Sequence, residues 1–248
     1  MDKEIWDDMA SDYDKSVEDN QNPIIINYLK KEIEILNTLC KRVYDSNRKC
    51  SIIDMGAGTG RVIFALDDKL QENTIKFYGV EVSEQMLNHA KLKNQNHDGV
   101  SKIEFLKFDL TKDNLQEYFQ LDETNIVMCL YNTLGVIPSD KRQKFIDNMK
   151  SIAGKNGLTV LTAFNGDNFG FVAPKLYNSM MPMIKQIDQD SFDERNKVFQ
   201  NGLGFRSQWF RKNELKSMLD TNVEPIPINV TINDISYIFG NVFVDRNI

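Results

Sequence analysis

The spacing of apolar positions divides the chain into helix-like and strand-like segments. From Pro23 to Val43 the apolar residues recur at steps of three and four, which predicts a long amphipathic helix. Short apolar runs predict five strands, at residues 50–55, 75–82, 103–108, 126–130 and 158–164. Helical spacing predicts a helix after each of the first four, one of them with Ser83 as its N-cap. Strands that alternate with helices pair in parallel through right-handed crossovers, so the pattern predicts an open parallel sheet.

A different pattern follows the fifth strand. Residues 165–208 contain a Met-rich helical stretch, interrupted by Pro182, and two strand-like pieces. We interpret this segment as a cap over one edge of the sheet. The C-terminal part then holds a helix and two strands separated by Asn233 and Asp234, which predicts an antiparallel hairpin.

The expected fold is an α/β, doubly wound, mostly parallel seven-stranded sheet with a C-terminal antiparallel hairpin and a cap insertion after strand five. We expect one domain, 1–248, in four parts: an N-terminal lid and helix (1–45), a core (50–164), the cap (165–208) and a C-terminal helix and hairpin (209–248). Ligands of such sheets bind beyond the carboxyl ends of the strands. The loops after the strands are therefore where chemistry is expected.

The composition and net charge argue against several classes of function. The net charge is −6 and no strongly basic run occurs, so nucleic acid is disfavoured as a partner. No apolar run approaches the ~20 residues of a membrane-spanning helix, and the N-terminus lacks the features of a secretory signal. We therefore expect a cytoplasmic protein that does not enter the membrane. Three cysteines without C-x-x-C spacing and two histidines offer little material for a disulfide framework, a metal site or a His-based triad.

The strongest chemical signal is a glycine loop between the first strand and its helix. It reads Asp54-Met-Gly56-Ala-Gly58-Thr-Gly60, where missing side chains let backbone amides approach a ligand and the helix N-terminus favours negative charge. Acidic residues end the next two strands, Glu81 and Asp109. Carboxylates at those positions can accept hydrogen bonds from ribose hydroxyls and an adenine amine. The three features together predict a nucleotide-like cofactor.

In the order and context of these motifs, residues 50–165 resemble the class I S-adenosylmethionine-dependent methyltransferases. The resemblance implies S-adenosyl-L-methionine as cofactor, with the following site. The methionine part would face Gly56, Ala57 and Gly58. The ribose would be held by Glu81, and Asp54, Val82 and Met86 would also contact the cofactor. Adenine would face Asp109 and Leu110, and the wall beside the sulfonium would be Cys129, Leu130, Tyr131 and Asn132.

The N-terminus adds to the resemblance. Trp6-Asp-Asp-Met-Ala-Ser-Asp-Tyr13-Asp14 is similar to the W-x-x-x-A-x-x-Y-D lead-in of many small-molecule members. Tyr13 is then a candidate cofactor-binding lid residue. Tyr131 and Asn132 are the candidate catalytic residues, which would orient an acceptor by hydrogen bonds. Leu130-Tyr131-Asn132-Thr133 replaces the N/D-P-P-Y sequence of enzymes that modify adenine, cytosine or glutamine, which disfavours those acceptors. The loop Cys129-Leu-Tyr-Asn-Thr-Leu-Gly135 is broadly similar to those of small-molecule N-methyltransferases, and this resemblance implies a small-molecule acceptor, methylated at nitrogen.

Three alternatives remain open at this stage. A tRNA or protein acceptor is disfavoured by the acidic charge and by the missing N/D-P-P-Y sequence. An NAD-dependent oxidoreductase would need the spacing G-x-G-x-x-G, whereas Arg61 occupies the third glycine position here. A non-catalytic cofactor-binding module could share the same fold, because a fold does not imply a function.

Overall fold

The computed structural model describes residues 3–112, 115, 118–119 and 124–246. In that part of the chain the strands are β1 (Cys50–Met55), β2 (Ile75–Glu81), β3 (Lys102–Lys107), β4 (Asn125–Cys129), β5 (Leu158–Phe164), β6 (Phe192–Asp193), β7 (Val198–Gln200), β8 (Arg206–Gln208), β9 (Ile226–Ile232) and β10 (Ile235–Arg246). The helices are α1 (Lys3–Ser16), α2 (Pro23–Asn47), α3 (Arg61–Leu70), α4 (Glu84–Gln95), α5 (Thr133–Val136), α6 (Arg142–Ala153), α7 (Phe169–Ser179), α8 (Met181–Ile184) and α9 (Lys212–Met218).

Seven strands form the main sheet, in the order β3-β2-β1-β4-β5-β10-β9. The first five pair in parallel, and β10 lies antiparallel between β5 and β9. This confirms the predicted fold class. The strand order reverses between β1 and β4, and a crevice for a ligand opens at such a point, beyond the carboxyl ends of the strands.

Local sequence fixes several ends of these elements. The Ser83 hydroxyl accepts a hydrogen bond from the Met86 amide, as expected of an N-cap, and α4 begins at Glu84, the residue after Ser83. Asn233 and Asp234 take φ values of 50° and 62° between β9 and β10. Two successive left-handed residues make the tight turn whose twist matches a hairpin, so the predicted hairpin forms.

Alternating residues along the strands pack into two hydrophobic cores, one on each face of the main sheet. Ile52 of β1 packs on one face with residues of α2 and α3, while Ile53 packs on the other face with α6 and α9. Side chains of successive strand residues point to opposite faces, and here both faces are covered. The apolar, unalternating strand sequences follow from this burial on both sides. Among the described residues no helix has the length and apolar character to cross a membrane.

The structure differs from the sequence prediction outside the sheet. The N-terminal lead-in is a helix, α1, although no helix was predicted there. In the 165–208 segment, helix formation starts at Phe169, and Pro182 lies in the first turn of a second short helix, where proline is tolerated. The segment also holds three short strands, β6 to β8, instead of two. The short helix predicted after Thr111 extends beyond the described residues.

Candidate functional site

A cavity of about 860 Å³, including its mouth, lies where the strand order reverses. Its walls come from α1, from the loops after β1, β2 and β4, and from the 165–208 segment: Trp6, Tyr13, Asp54, Gly56, Ala57, Gly58, Arg61, Val62, Glu81, Met86, Leu130, Tyr131, Asn132, Thr133, Val136, Phe164, Tyr177, Met180, Met183, Phe205 and Ser207. We call the wall formed by Asp54, Gly56, Gly58, Arg61 and Glu81 the loop half of the cavity. The cap half is the wall formed by Tyr177, Met180, Met183, Phe205 and Ser207.

The glycine loop turns sharply at the end of β1. Gly56, Gly58 and Gly60 all have positive φ, at 89°, 55° and 86°, which glycine adopts without steric cost. A Cβ on Gly56 would lie 2.6 Å from the Thr133 side chain, so the loop also packs closely on the loop after β4. At Gly58 the nearest atom to such a Cβ would be in the Tyr13 ring, 3.7 Å away. The backbone at Gly58 therefore faces Tyr13 across the cavity.

Glu81 closes the loop from the side of β2. Its Oε2 accepts a hydrogen bond from the Gly58 amide at 3.1 Å, and its Oε1 accepts from the Val82 and Ser83 amides at 2.8 and 2.9 Å. The residue is 5% exposed. Burial raises the pKa of this carboxyl, while the three amides act to lower it. Glu81 thus holds the glycine loop in shape and presents an acceptor to the cavity.

Asp54 is buried without a complete set of partners. It is 3% exposed, and its Oδ1 has no hydrogen-bond partner among the described residues. Burial raises the pKa of Asp54 to about 7, with Arg61 acting to lower it and Glu32 and Glu81 acting to raise it. A buried acceptor left unpaired carries a cost that a ligand donor would relieve.

A buried ion pair joins α2 to the start of α3, and its carboxylate also accepts a hydrogen bond from the loop after β4. Glu32 is fully buried, and its Oε2 accepts from Nη2 of Arg61 at 2.9 Å. Its Oε1 accepts from the Thr162 hydroxyl at 2.6 Å and from the Tyr131 amide at 3.2 Å, and the Tyr28 hydroxyl donates to the same oxygen at 3.3 Å. The contacts hold Tyr131 in a left-handed conformation with φ of 48°. Glu32 and Arg61 were missed by the sequence reasoning.

Asn132 lines the cavity, but its amide is occupied by the fold. The Nδ2 group donates to the Ser207 hydroxyl and to the Gln208 carbonyl, both at 3.0 Å, and the Oδ1 atom accepts from the Phe164 amide at 3.1 Å. These bonds tie the loop after β4 to β5 and β8. Of the two candidate catalytic residues, Tyr131 is therefore the one with an uncommitted polar group: its hydroxyl is buried and has no hydrogen-bond partner among the described residues.

Helix α1 covers the cavity and is fixed by two polar contacts. Near its start, Asp7 accepts hydrogen bonds from the Ser83 hydroxyl at 2.6 Å and the Gln85 amide at 3.1 Å. Near its end, Asp14 accepts from the Thr59 hydroxyl at 2.6 Å and pairs with Lys93 at 2.8 Å. Both contacts reach the elements that follow β1 and β2. They place Trp6 and Tyr13 over the opening of the glycine loop.

The cap half is aromatic and sulfur-rich. Trp6 meets Phe205 edge to face at 5.8 Å between ring centroids, and Tyr177 stacks on Phe199 at 3.9 Å. The Tyr177 hydroxyl accepts a hydrogen bond from the Trp209 indole at 2.9 Å. Met180 and Met183, 4% and 2% exposed, complete the wall. The polar groups of this half are thus largely satisfied within the fold.

Four predicted site residues do not line the cavity: Val82, Asp109, Leu110 and Cys129. The Cys129 side chain is fully buried in the core on the α6 face of the sheet, and Leu110 belongs to the same core. Asp109 Oδ1 accepts hydrogen bonds from the amide and the hydroxyl of Thr111, and its other carboxylate oxygen forms an ion pair with Lys112 at 2.9 Å. Burial acts to raise the pKa of Asp109, but these partners lower it to about 2. The described residues offer no group of three or more His, Cys, Asp or Glu that could hold a metal ion.

Comparison with known proteins gives matches of three kinds. Residues 52–157 match a family model described as a methyltransferase domain. A carboxy-S-adenosyl-L-methionine synthase of Desulfotalea psychrophila is 29% identical over 159 residues, which are 64% of this chain and 56% of that protein. The chain thus matches little more than half the length of this curated relative.

Two solved structures share the fold. An S-adenosylmethionine-dependent methyltransferase from Clostridium acetobutylicum superposes with a TM-score of 0.60 at 13% identity, covering 94% of each chain. A DhpI–SAM–HEP complex superposes with a TM-score of 0.55 at 16% identity, covering 96% of this chain and 92% of that one. At these identities the likeness concerns the fold.

Proposed function

We propose that this chain is a class I S-adenosylmethionine-dependent methyltransferase that methylates a small-molecule acceptor at a nitrogen atom. The observation that carries the proposal is the two-sided cavity. Its loop half offers a glycine turn and carboxylates from β1 and β2, and its cap half offers an enclosed apolar wall. A cofactor and an acceptor would meet between them, near Tyr131.

The loop half fits the cofactor S-adenosyl-L-methionine in its chemistry. Gly58 leaves the loop backbone open to the cavity, and the unpaired Oδ1 of Asp54 can accept a hydrogen bond from the amino group of the methionine part. Glu81 ends the strand next to the loop and can accept from ribose hydroxyls. Met86 would lie beside it, Ala57 and Leu130 would contact the methionine part, and Tyr13 would close over it. Val82, Asp109, Leu110 and Cys129 lie outside the cavity, so we assign them no contact.

When bound, the cofactor supplies an electrophilic methyl carbon for in-line displacement by the acceptor. The protein's part is to align the nucleophile and exclude water. Trp6 and Tyr13 on α1 cover the site, while Phe164 and Tyr177 wall it from the opposite side. No carboxylate or histidine belongs to the described residues of the cap half, and an amine that arrives deprotonated needs no dedicated base. This favours nitrogen as the methylated atom.

Enclosure supports a small acceptor. The acceptor would lie between α1 and the 165–208 segment, where Met180 and Met183 give an adaptable apolar wall. The net charge of −6 does not attract a polyanion such as tRNA. These two properties disfavour a macromolecular acceptor, whose target group would have to enter the same enclosed space.

A screen for S-adenosylhomocysteine release tests the proposal. The purified protein is incubated with S-adenosylmethionine and amines, small acids, nucleosides, tRNA or peptides, and the Gly58→Val variant serves as the matched inactive control. We expect turnover with one or more small amines. Robust turnover only with tRNA or a folded protein would contradict the small-molecule assignment, and cofactor binding without turnover would favour a binding module. Mass analysis of the cofactor also detects a carboxylated product, the activity named for the curated relative.

Amide exchange locates the acceptor. Cofactor alone should protect mainly the loops at Gly56 and Glu81, whereas cofactor with acceptor should also protect α1 and residues 165–208. Protection of the cap by cofactor alone would contradict the division of the cavity into two halves.

A further inference from the structure

Arg61 presents part of a buried guanidinium to the cavity. Its side chain is 11% exposed and lies at the first residue of α3, directly after the glycine loop. Its Nη2 donates to Glu32, whereas Nε and Nη1 make no hydrogen bond to the described residues. Guanidinium groups carry five donors in a fixed planar fork, so this one keeps donors available for a ligand.

A second donor lies beside the first. The guanidinium carbon of Arg61 is 5.5 Å from the centroid of the Tyr131 ring. Tyr131 lines the same cavity, and its hydroxyl is buried and has no hydrogen-bond partner in the part of the chain that the structure describes. Burial raises the pKa of this phenol far above its ordinary value, so it stays protonated and able to donate. A cationic donor and a hydroxyl donor from two residues in contact could together bind the two oxygens of a carboxylate.

The surrounding charges restrict which carboxylate can bind. Glu32, Asp54 and Glu81 are each at most 5% exposed, and Arg61 is the cation among the cavity-lining residues named above. A simple anion would therefore enter a region of net negative charge. A zwitterion avoids this repulsion, because its ammonium group could lie at the unpaired Oδ1 of Asp54 while its carboxylate lies at Arg61.

We propose that Arg61 and Tyr131 form a subsite for the carboxylate of an α-amino acid group, with Glu32 as its positioning residue. The proposal rests on the proposed function and extends it. An α-amino acid group could come from the methionine end of the cofactor or from an amino acid acceptor. Since Arg61 directly follows the glycine loop, the methionine end is the source that the geometry favours.

Glu32 prepares the subsite without touching the ligand. Its four hydrogen bonds hold the Arg61 guanidinium and the Tyr131 backbone at once. The left-handed conformation of Tyr131 is uncommon for an aromatic residue and persists only where surrounding contacts hold it. The pair thus fixes both donors before a ligand arrives.

The subsite can be tested by removing a donor side chain and the ligand carboxylate, separately and together, and comparing the affinities. Calorimetry measures binding of S-adenosylhomocysteine, its decarboxylated analogue and methylthioadenosine to the wild type, Tyr131→Phe and Arg61→Gln. Each variant should weaken S-adenosylhomocysteine roughly tenfold or more, the usual effect of losing a hydrogen bond to a charged group. Binding of the two ligands without a carboxylate should change less than about twofold. Tyr237→Phe and Arg195→Gln are the matched controls and should leave all three affinities unchanged.

Folding can be separated from binding. Tyr131→Phe removes a hydroxyl that has no partner in the described structure, so the variant should unfold at the wild-type temperature or above. Arg61→Gln leaves Glu32 buried without its cation, and Glu32→Gln combined with Arg61→Gln keeps the charge balanced if the single variant is unstable.

The same variants distinguish the two sources. If the carboxylate of S-adenosylhomocysteine contributes equally in the wild type and the variants, the cofactor is not the source. Amino acids are then titrated into the complex with S-adenosylhomocysteine, and binding that is lost in Tyr131→Phe would support the subsite with an acceptor as its ligand. Absence of both effects overturns the proposal. Failure of S-adenosylhomocysteine and methylthioadenosine to bind would instead contradict the proposed function, and the amino acid titration would still decide the subsite.

Discussion

The two halves of the cavity are built in opposite ways. The loop half comes from one continuous stretch, from β1 through β2, and it contacts the cavity through backbone turns and carboxylates. The cap half comes from an equally local stretch, within residues 165–208, but it contacts the cavity through the rings of Tyr177 and Phe205 and through methionine thioethers. The polar half can be recognised from a motif, because its glycines and carboxylates lie at or directly after the ends of strands, and it would bind the cofactor. The apolar half carries no motif beyond a Met-rich segment after the fifth strand, and it is where the acceptor would be selected.

The largest effect is expected at Gly58. Its φ of 55° and its open side toward Tyr13 mean that a β-branched side chain would be strained and would fill the space against the loop. Gly58→Val should abolish measurable binding of S-adenosylmethionine by calorimetry while leaving thermal unfolding cooperative. Normal cofactor affinity in this variant would show that the glycine loop is only a turn, and the loop half would lose its assigned role.

Asp54 should give the next largest effect, on stability. Burial raises the pKa of Asp54 to about 7, above that of the unfolded chain, although Arg61 opposes this shift. The contribution of the protonated carboxyl to stability is therefore fully present below the unfolded-state pKa and is lost as the pH rises through about 7. A shift of this size corresponds to on the order of 4 kcal/mol.

Asp54→Asn should accordingly be stabilised relative to the wild type at about pH 8 and much less so at about pH 5, without ligand. Urea unfolding at the two pH values measures the difference, with the exposed Asp68→Asn as control. An equal difference at both pH values would mean that Asp54 does not titrate between them.

The Glu81→Ala substitution should give the third largest effect, a loss of cofactor affinity. The carboxylate can accept from both ribose hydroxyls, and losing such charge-assisted bonds costs about 1.5 to 3 kcal/mol, or roughly tenfold to over a hundredfold in affinity. Part of the loss of affinity would come from a change in the glycine loop, because Glu81 also accepts a hydrogen bond from the Gly58 amide. Calorimetry with S-adenosylhomocysteine and with homocysteine separates the two, since only the first has a ribose. Unchanged affinity for S-adenosylhomocysteine, with the fold intact, would remove Glu81 from the site.

The same contrast explains what the sequence could predict. Strand runs such as Ile126–Leu130 are apolar because both faces of the sheet are covered, so the fold class follows from local pattern. Gly58 and Glu81 were predicted to face a ligand site because each lies at or just after the end of a strand, and both line the cavity. Glu32 was not, because a carboxylate on an amphipathic helix normally faces water, and its burial depends on Arg61 and Thr162, 29 and 130 residues away. Cys129 was predicted at the cavity wall, but the alternation of side chains along β4 turns its thiol to the opposite face of the sheet.

The smallest effect on cofactor binding is expected in the cap half. Met183 is 2% exposed and lines the cavity, and a change to leucine nearly conserves volume while removing a flexible thioether. Met183→Leu should therefore bind S-adenosylhomocysteine within about twofold of the wild type, whereas the KM of the best acceptor from the screen should change several-fold. Met218→Leu, which changes a residue packed on the opposite side of the sheet, should alter neither value. A tenfold loss of S-adenosylhomocysteine affinity in Met183→Leu would show that the cofactor reaches the cap, and the two halves would then be one site.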